Sequence, residues 1–161
     1  MTQTPTRKPI AIGTDHRGVP LKDRLKAWLQ ANGYAVTDCG ADAGDGRVDA
    51  MDYAVRLAGE IGAGRSDFAV GICGSGQMMA ITANRFPFIR ATLLHMVDEA
   101  LGARRHGDAN MLVLGADALD GAVAEEMLKV FLETAAEGGR YGERRERLAR
   151  LDVSKLPGGA G

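Results

Sequence analysis

Three glycine-containing junctions in this chain gather the side chains able to move a proton or grip an anion. Cys73-Gly74-Ser75-Gly76 closes an apolar run, 68–73, and opens a helical one, 77–85, so a thiol and a glycine loop meet at a strand-to-helix turn. A helix N-terminus offers unpaired backbone N–H groups and a partial positive charge, which favour a thiolate and hold a developing anion. One turn therefore supplies both a base and an anion hole. Asp15-His16 follows the first apolar run, and His106-Gly107-Asp108-Ala109-Asn110 precedes the last.

The elements that must position these groups are legible as alternating short apolar runs and amphipathic stretches, the pattern of βαβ units around a parallel sheet. Strands are predicted at 10–14, 34–38, 68–73, 89–94 and 111–114, and helices at 20–32, 51–62, 77–85, 98–105 and 121–135. Pro20 suits a first helical turn, Gly33 a C-cap, and 40–47 a polar glycine-rich loop. The expected fold class is α/β: a three-layer, doubly wound, Rossmann-like five-stranded parallel sheet. A short basic C-terminal helix beginning near Arg140 is added to it.

Ligands in such sheets sit beyond the carboxyl ends of the strands. Asp15, His16, Cys73 and Ser75 fall there. His106 stands just before a strand and so enters from the opposite sheet end. If it is catalytic, a site built from two subunits is the simpler geometry, which predicts a homodimer.

At 161 residues and 45% hydrophobic, the chain suits one domain, expected over 1–155 with a disordered tail at 156–161. Lys plus Arg total 20 against 21 Asp plus Glu, a net charge of −1, which gives no general electrostatic case for nucleic acid or membrane. No apolar run approaches the ~18 residues of a membrane span, no signal-peptide pattern is present, and residues 1–9 read as a polar lead-in. The expectation is a cytoplasmic protein. Cys39 and Cys73 lack metal-type spacing and read as free thiols. Taken alone, His95 and Cys39 read as structural, Met78-Met79 as core packing, and Arg140, Arg144, Arg145 and Arg147 as a solvated face.

Five blocks in order change that balance: Ile10-Ala-Ile-Gly-Thr-Asp15-His16-Arg-Gly, Ile72-Cys73-Gly-Ser-Gly76, Ile81-Thr-Ala-Asn84-Arg-Phe-Pro-Phe-Ile-Arg90-Ala, Arg105-His106-Gly-Asp108-Ala-Asn110-Met-Leu, and Glu137-Gly-Gly-Arg140 with Arg144. Together they resemble the ribose-5-phosphate isomerase B and galactose-6-phosphate isomerase family of sugar-phosphate aldose–ketose isomerases. The resemblance implies that Cys73 is the base moving a proton between C1 and C2. Ser75 and the Gly74 to Gly76 N–H groups would steady the enediolate. It further implies that His106 helps open the sugar ring with Asp15 beside the ring oxygens, and that His16, Arg140 and Arg144 clamp the phosphate. The implied partner is a small sugar phosphate, with no metal or organic cofactor. The implied assembly is a homodimer sharing its sites, with a tetramer left open.

The chain departs from the resemblance at four places. Ala50 and Met51 stand where an aromatic and a proline are common, Gln77-Met78 where a glycine usually follows, Gly107 where asparagine is usual, and Asp117 where an arginine commonly reaches phosphate. A reshaped sugar pocket and repulsion of phosphate at Asp117 are expected from them. Three other readings remain. The chain acts on another or unphosphorylated sugar, or is a non-catalytic sugar-phosphate-binding dimer, or is a nucleotide-binding domain, although Thr14-Asp-His-Arg-Gly18 is not a Gly-x-Gly-x-x-Gly fingerprint.

Overall fold

A computed structural model describes residues 8–155. The lead-in at 1–7 and the tail at 156–161 lie outside the described residues. Five strands, β1 (Ile10–Thr14), β2 (Val36–Asp38), β3 (Ala69–Cys73), β4 (Ala91–Leu93) and β5 (Met111–Gly115), form one parallel sheet in the order β2-β1-β3-β5-β4. Between and after them run α1 (Val19–Ala31), α2 (Ala50–Gly62), α3 (Gln77–Ala83), α4 (Val97–Arg105), α5 (Gly121–Glu133) and α6 (Gly139–Ala149).

Alternation along the central strands sends side chains to two cores. Ile10, Ile12, Val70, Ile72, Leu112 and Leu114 pack under α1, α4 and α5 with Leu25, Leu29, Met127 and Phe131. Ala11, Ala69, Cys73, Met111 and Val113 face α2 and α3 with Leu57 and Met79. Each fully buried Leu, Met or Phe contributes about 1.5–3 kcal/mol relative to leaving it in water. The second face is lined by small residues on β1 and β3, so α2 and α3 lie close to the strands: a Cβ on Gly71 would sit 2.8 Å from Met79 Cγ.

Several ends differ from the sequence expectation, each for a local reason. The first residues of the predicted second strand cap α1 instead: the Tyr34 N–H donates to the Leu29 carbonyl at 3.0 Å and its ring stacks on Trp28. The fourth strand is trimmed to three residues at the sheet edge, where Asn110 Oδ1 takes the Arg90 N–H. The third helix stops at Ala83 because the Asn84 side chain pairs with both backbone groups of Ala91. α6 forms as expected but buries none of its residues.

Candidate active site

The strand order reverses direction at β1 and β3, and the crevice outside their carboxyl ends is a cavity of about 540 Å³. Asp15, His16 and Arg17 reach it from β1, Cys73, Gly74 and Ser75 from β3, Asp117 from beyond β5, Met78 from α3, and Arg47 to Ala50 from the loop entering α2.

Cys73 ends β3 with its thiol buried against the α2–α3 core, and the Gly76 N–H donates to its Sγ at 3.1 Å. Gly76 adopts φ +77°, where a side chain is strained, and a Cβ there would lie 2.4 Å from Leu93 Cδ1. Only glycine lets the chain turn sharply enough to aim that N–H back at the sulfur. The expected anion hole is thereby changed in part, since the Gly76 donor is committed to Cys73. Ser75 Oγ accepts the Gln77 N–H at 3.3 Å, which leaves its own proton to donate elsewhere.

Asp15 is buried, and its Oδ1 accepts the Arg17 N–H at 2.9 Å. His16 is anchored through Nδ1, which lies 3.1 Å from the Val48 carbonyl and 3.3 Å from its N–H. Whichever tautomer forms, one of those bonds holds the ring and Nε2 is the nitrogen left to meet a ligand. Asp49 caps α2 by accepting the Met51 N–H, and Ala50 leaves that wall of the cavity without an aromatic. The methionine pair divides: Met79 is core, whereas Met78 is exposed and lines the cavity.

Asp117 does not stand as a bare negative charge. It forms a bidentate ion pair with Arg17, Nε to Oδ1 at 3.2 Å and Nη2 to Oδ2 at 2.6 Å. The uncompensated repulsion expected from the sequence is therefore corrected, because the neighbouring loop supplies the opposing cation.

His106 is elsewhere. It is the C-cap of α4, and the parallel register of β3 with β5 puts it beyond the amino end of the strand pair whose carboxyl end holds Cys73. Five residues at about 3.3 Å rise separate those ends by roughly 16 Å. The His106 ring stacks on Tyr141 with centroids 4.0 Å apart. Arg140 and Arg144 pack on the same Tyr141 ring, and Arg145 Nη1 donates to the His106 carbonyl. His106, Arg140 and Arg144 thus form one cluster with Tyr141, apart from the Cys73 cavity. Asp108 and Asn110 brace it: Asp108, at φ +47°, takes Arg90 and Arg104, while Asn110 clasps Arg90 and Phe88.

Tyr141, Arg17 and Arg47 had no role in the sequence reading. Arg17 was detectable through its place on the same turn as Asp15-His16; nothing local marked Tyr141 as a stacking partner for a residue 35 positions earlier. Among the described residues, no group of three or more His, Cys, Asp or Glu side chains is placed to hold a metal ion. Burial pushes the Cys39 thiol up, with Glu60 and Asp38 adding to the effect, so it is a poor base at neutral pH.

The sequence model of the Ribose/Galactose Isomerase family matches residues 10–148. The chain belongs to that family. It is 33% identical over 145 residues to ribose-5-phosphate isomerase B of Escherichia coli strain K12, covering 90% of this chain and 97% of that protein. A crystal structure of a ribose 5-phosphate isomerase, RpiB, from Thermotoga maritima superposes with a TM-score of 0.85 at 35% identity, covering 89% of this chain and 99% of the other. A 4-deoxy-4-sulfo-D-erythrose isomerase of Clostridium sp. strain MSTE9 is 35% identical over 125 residues, 78% of this chain and 79% of its own. As a member of the ribose/galactose isomerase family the chain is an intramolecular oxidoreductase of the sugar-phosphate aldose–ketose class, built on that family's Rossmann-like sheet. Among the described residues no helix is long and apolar enough to cross a membrane.

Proposed function

We propose that this chain interconverts a phosphorylated aldose and its ketose through an enediolate with Cys73 as the base, ribose 5-phosphate and ribulose 5-phosphate being the best-fitting pair. The observation that carries the reading is the buried Cys73 thiol at the end of β3, with the Gly76 N–H on its sulfur and Ser75, Asp15 and His16 around the same cavity.

Asp15, within one chain, and His106, from a second copy, open the sugar ring. The Cys73 thiolate takes the C2 hydrogen as a proton, and the C–H electron pair becomes the C1=C2 bond while the carbonyl oxygen gains the charge. The Ser75 hydroxyl and the Gly74 and Ser75 N–H groups meet that oxygen; one such donor contributes about 3 kcal/mol in comparable sites. Proton transfer from O2 to O1 and return of the cysteine proton to C1 complete the ketose.

His106, Arg140 and Arg144 reach this cavity in the proposal only from a partner, since in their own chain they lie beyond the far end of the strands. Met51, Val55, Met78 and Ile81 are exposed apolar side chains on α2 and α3, beside the cavity, and fit a surface that a second copy covers. The reading is tested by proton NMR in D₂O with ribose 5-phosphate beside a panel of tetroses, hexoses and unphosphorylated sugars. Deuterium at C1 of the ketose formed and at C2 of the aldose regenerated from it, both lost in Cys73→Ala, is expected. Equal turnover in Cys73→Ala removes the base assignment, and no exchange with any sugar favours a binding module.

A further inference from the structure

Arg17 and Asp117 come from the loops after β1 and β5, and they meet above the loop that follows Cys73. A Cβ on Gly74 would lie 2.6 Å from Arg17 Nε and 2.9 Å from Asp117 Oδ2. The absent side chain at Gly74 is what lets the guanidinium lie against the loop. Asp117 occupies the Nε and Nη2 edge, and among the described residues Nη1 has no hydrogen-bond partner. The Arg17 side chain is 57% exposed and lines the cavity.

The acids of this cavity are each engaged: Asp15 by the Arg17 N–H, Asp49 by the Met51 N–H and Asp117 by the Arg17 side chain. Arg17, Arg47 and His16 share the lining with them. Asp117 has a cation as its partner, whereas Asp15 and Asp49 keep their charge and each accept one backbone N–H, so an incoming anion is drawn by Arg17, Arg47 and His16. At the Nη1 edge of Arg17 it is also nearer the guanidinium than the carboxylate on the opposite edge, and Coulomb energy falls with distance, so attraction dominates.

Resting on the isomerase reading, we propose that Arg17 is a specificity-determining residue. Asp117 holds one edge of its guanidinium, and the other edge binds the tetrahedral oxyanion at the far end of the open-chain sugar, a phosphate ester or a sulfonate. The planar fork matches such oxygens in pairs, and a guanidinium already oriented loses less freedom on binding. Arg17→Met keeps the stem and removes every side-chain donor.

The test compares wild type with Arg17→Met, Arg17→Lys and Asp117→Asn. KM and kcat are measured for a phosphorylated aldose and its unphosphorylated counterpart, and binding of inorganic phosphate by calorimetry. Loss of a charge-assisted contact is expected to raise KM for the phosphorylated sugar in Arg17→Met by about tenfold more than for the unphosphorylated one, with a similar loss in phosphate affinity. Arg17→Lys recovers part of both. Asp117→Asn keeps an oxygen for the guanidinium while removing the opposing charge, so phosphate binds at least as tightly as to wild type. Unchanged phosphate affinity and an unchanged KM ratio in Arg17→Met overturn the proposal, and persisting Cys73-dependent turnover would leave the isomerase reading intact. If wild type turns over no sugar, the calorimetric comparison still decides Arg17.

Discussion

At the scale of single residues, the Cys73 turn divides its hydrogen-bond donors between two jobs. The Gly76 N–H serves the sulfur, so the proposed enediolate relies on the Ser75 hydroxyl and the remaining loop N–H groups. Ser75→Ala is therefore expected to lower kcat on the order of a hundredfold, in line with loss of one preorganised donor. Stability should scarcely change, because Ser75 is exposed and among the described residues its side chain has one hydrogen-bond partner, the Gln77 N–H at 3.3 Å. Steady-state kinetics beside chemical denaturation separates the two; a kcat equal to wild type would remove Ser75 from the mechanism. Its reactive atoms were legible in the sequence because they share one short turn. The Arg17–Asp117 pair was not, since its members stand a hundred positions apart and only packing brings them together.

At the scale of elements, the cavity wall contributed by the loop before α2 depends on a buried charge. The Lys22 side chain on α1 is fully buried, and its Nζ donates to both Asp38 oxygens at the end of β2 and to Asp42 in the loop. Burial works against the Lys22 ammonium, but Asp38 and Asp42 outweigh it and raise its pKa above the ordinary 10.5. Burial likewise works against the Asp38 carboxylate, but Lys26, Lys22 and the Gly40 N–H outweigh it and hold its pKa below 3.8. A carboxylate with a depressed folded-state pKa contributes stability above its unfolded value and loses it on acidification. A lysine with a raised one loses its contribution as pH climbs past the folded value. Lys22→Met takes one of two lysines from Asp38, which keeps Lys26 and the Gly40 N–H, and is thus expected to cost about 2 kcal/mol near neutral pH, the loss of hydrogen bonds to a charged group. The difference from wild type should shrink below about pH 4 and above about pH 10.5. Denaturant midpoints at acid, neutral and alkaline pH measure it, and a pH-independent difference would assign the loss to packing alone. Element identities were readable from periodicity. Their ends were not, as β2 and α3 show, because Tyr34 and Asn84 bond to backbone groups, those of Leu29 and Ala91, that no local pattern announces.

At the scale of the whole molecule, the Cys73 cavity and the His106 cluster stand at opposite ends of one sheet. If each complete site takes Cys73 from one chain and His106 from another, Cys73→Ala and His106→Ala proteins are each inactive alone. Refolded together in equal amounts, half the dimers are mixed and each of those has one intact site, which returns about a quarter of wild-type activity. Absence of any recovery would overturn a site shared between the two chains. By itself the sequence determined the parallel α/β class, the strand-to-helix turn carrying Cys73, and the entry of His106 from the far sheet end. These follow from periodicity and chain order, which are local properties. Only the tertiary structure decided that Asp117 is neutralised by Arg17, that His106 rests on Tyr141, and that Lys22 is buried to hold the cavity loop. Such contacts join distant segments, and their energies depend on distance and burial that exist only once the chain has folded.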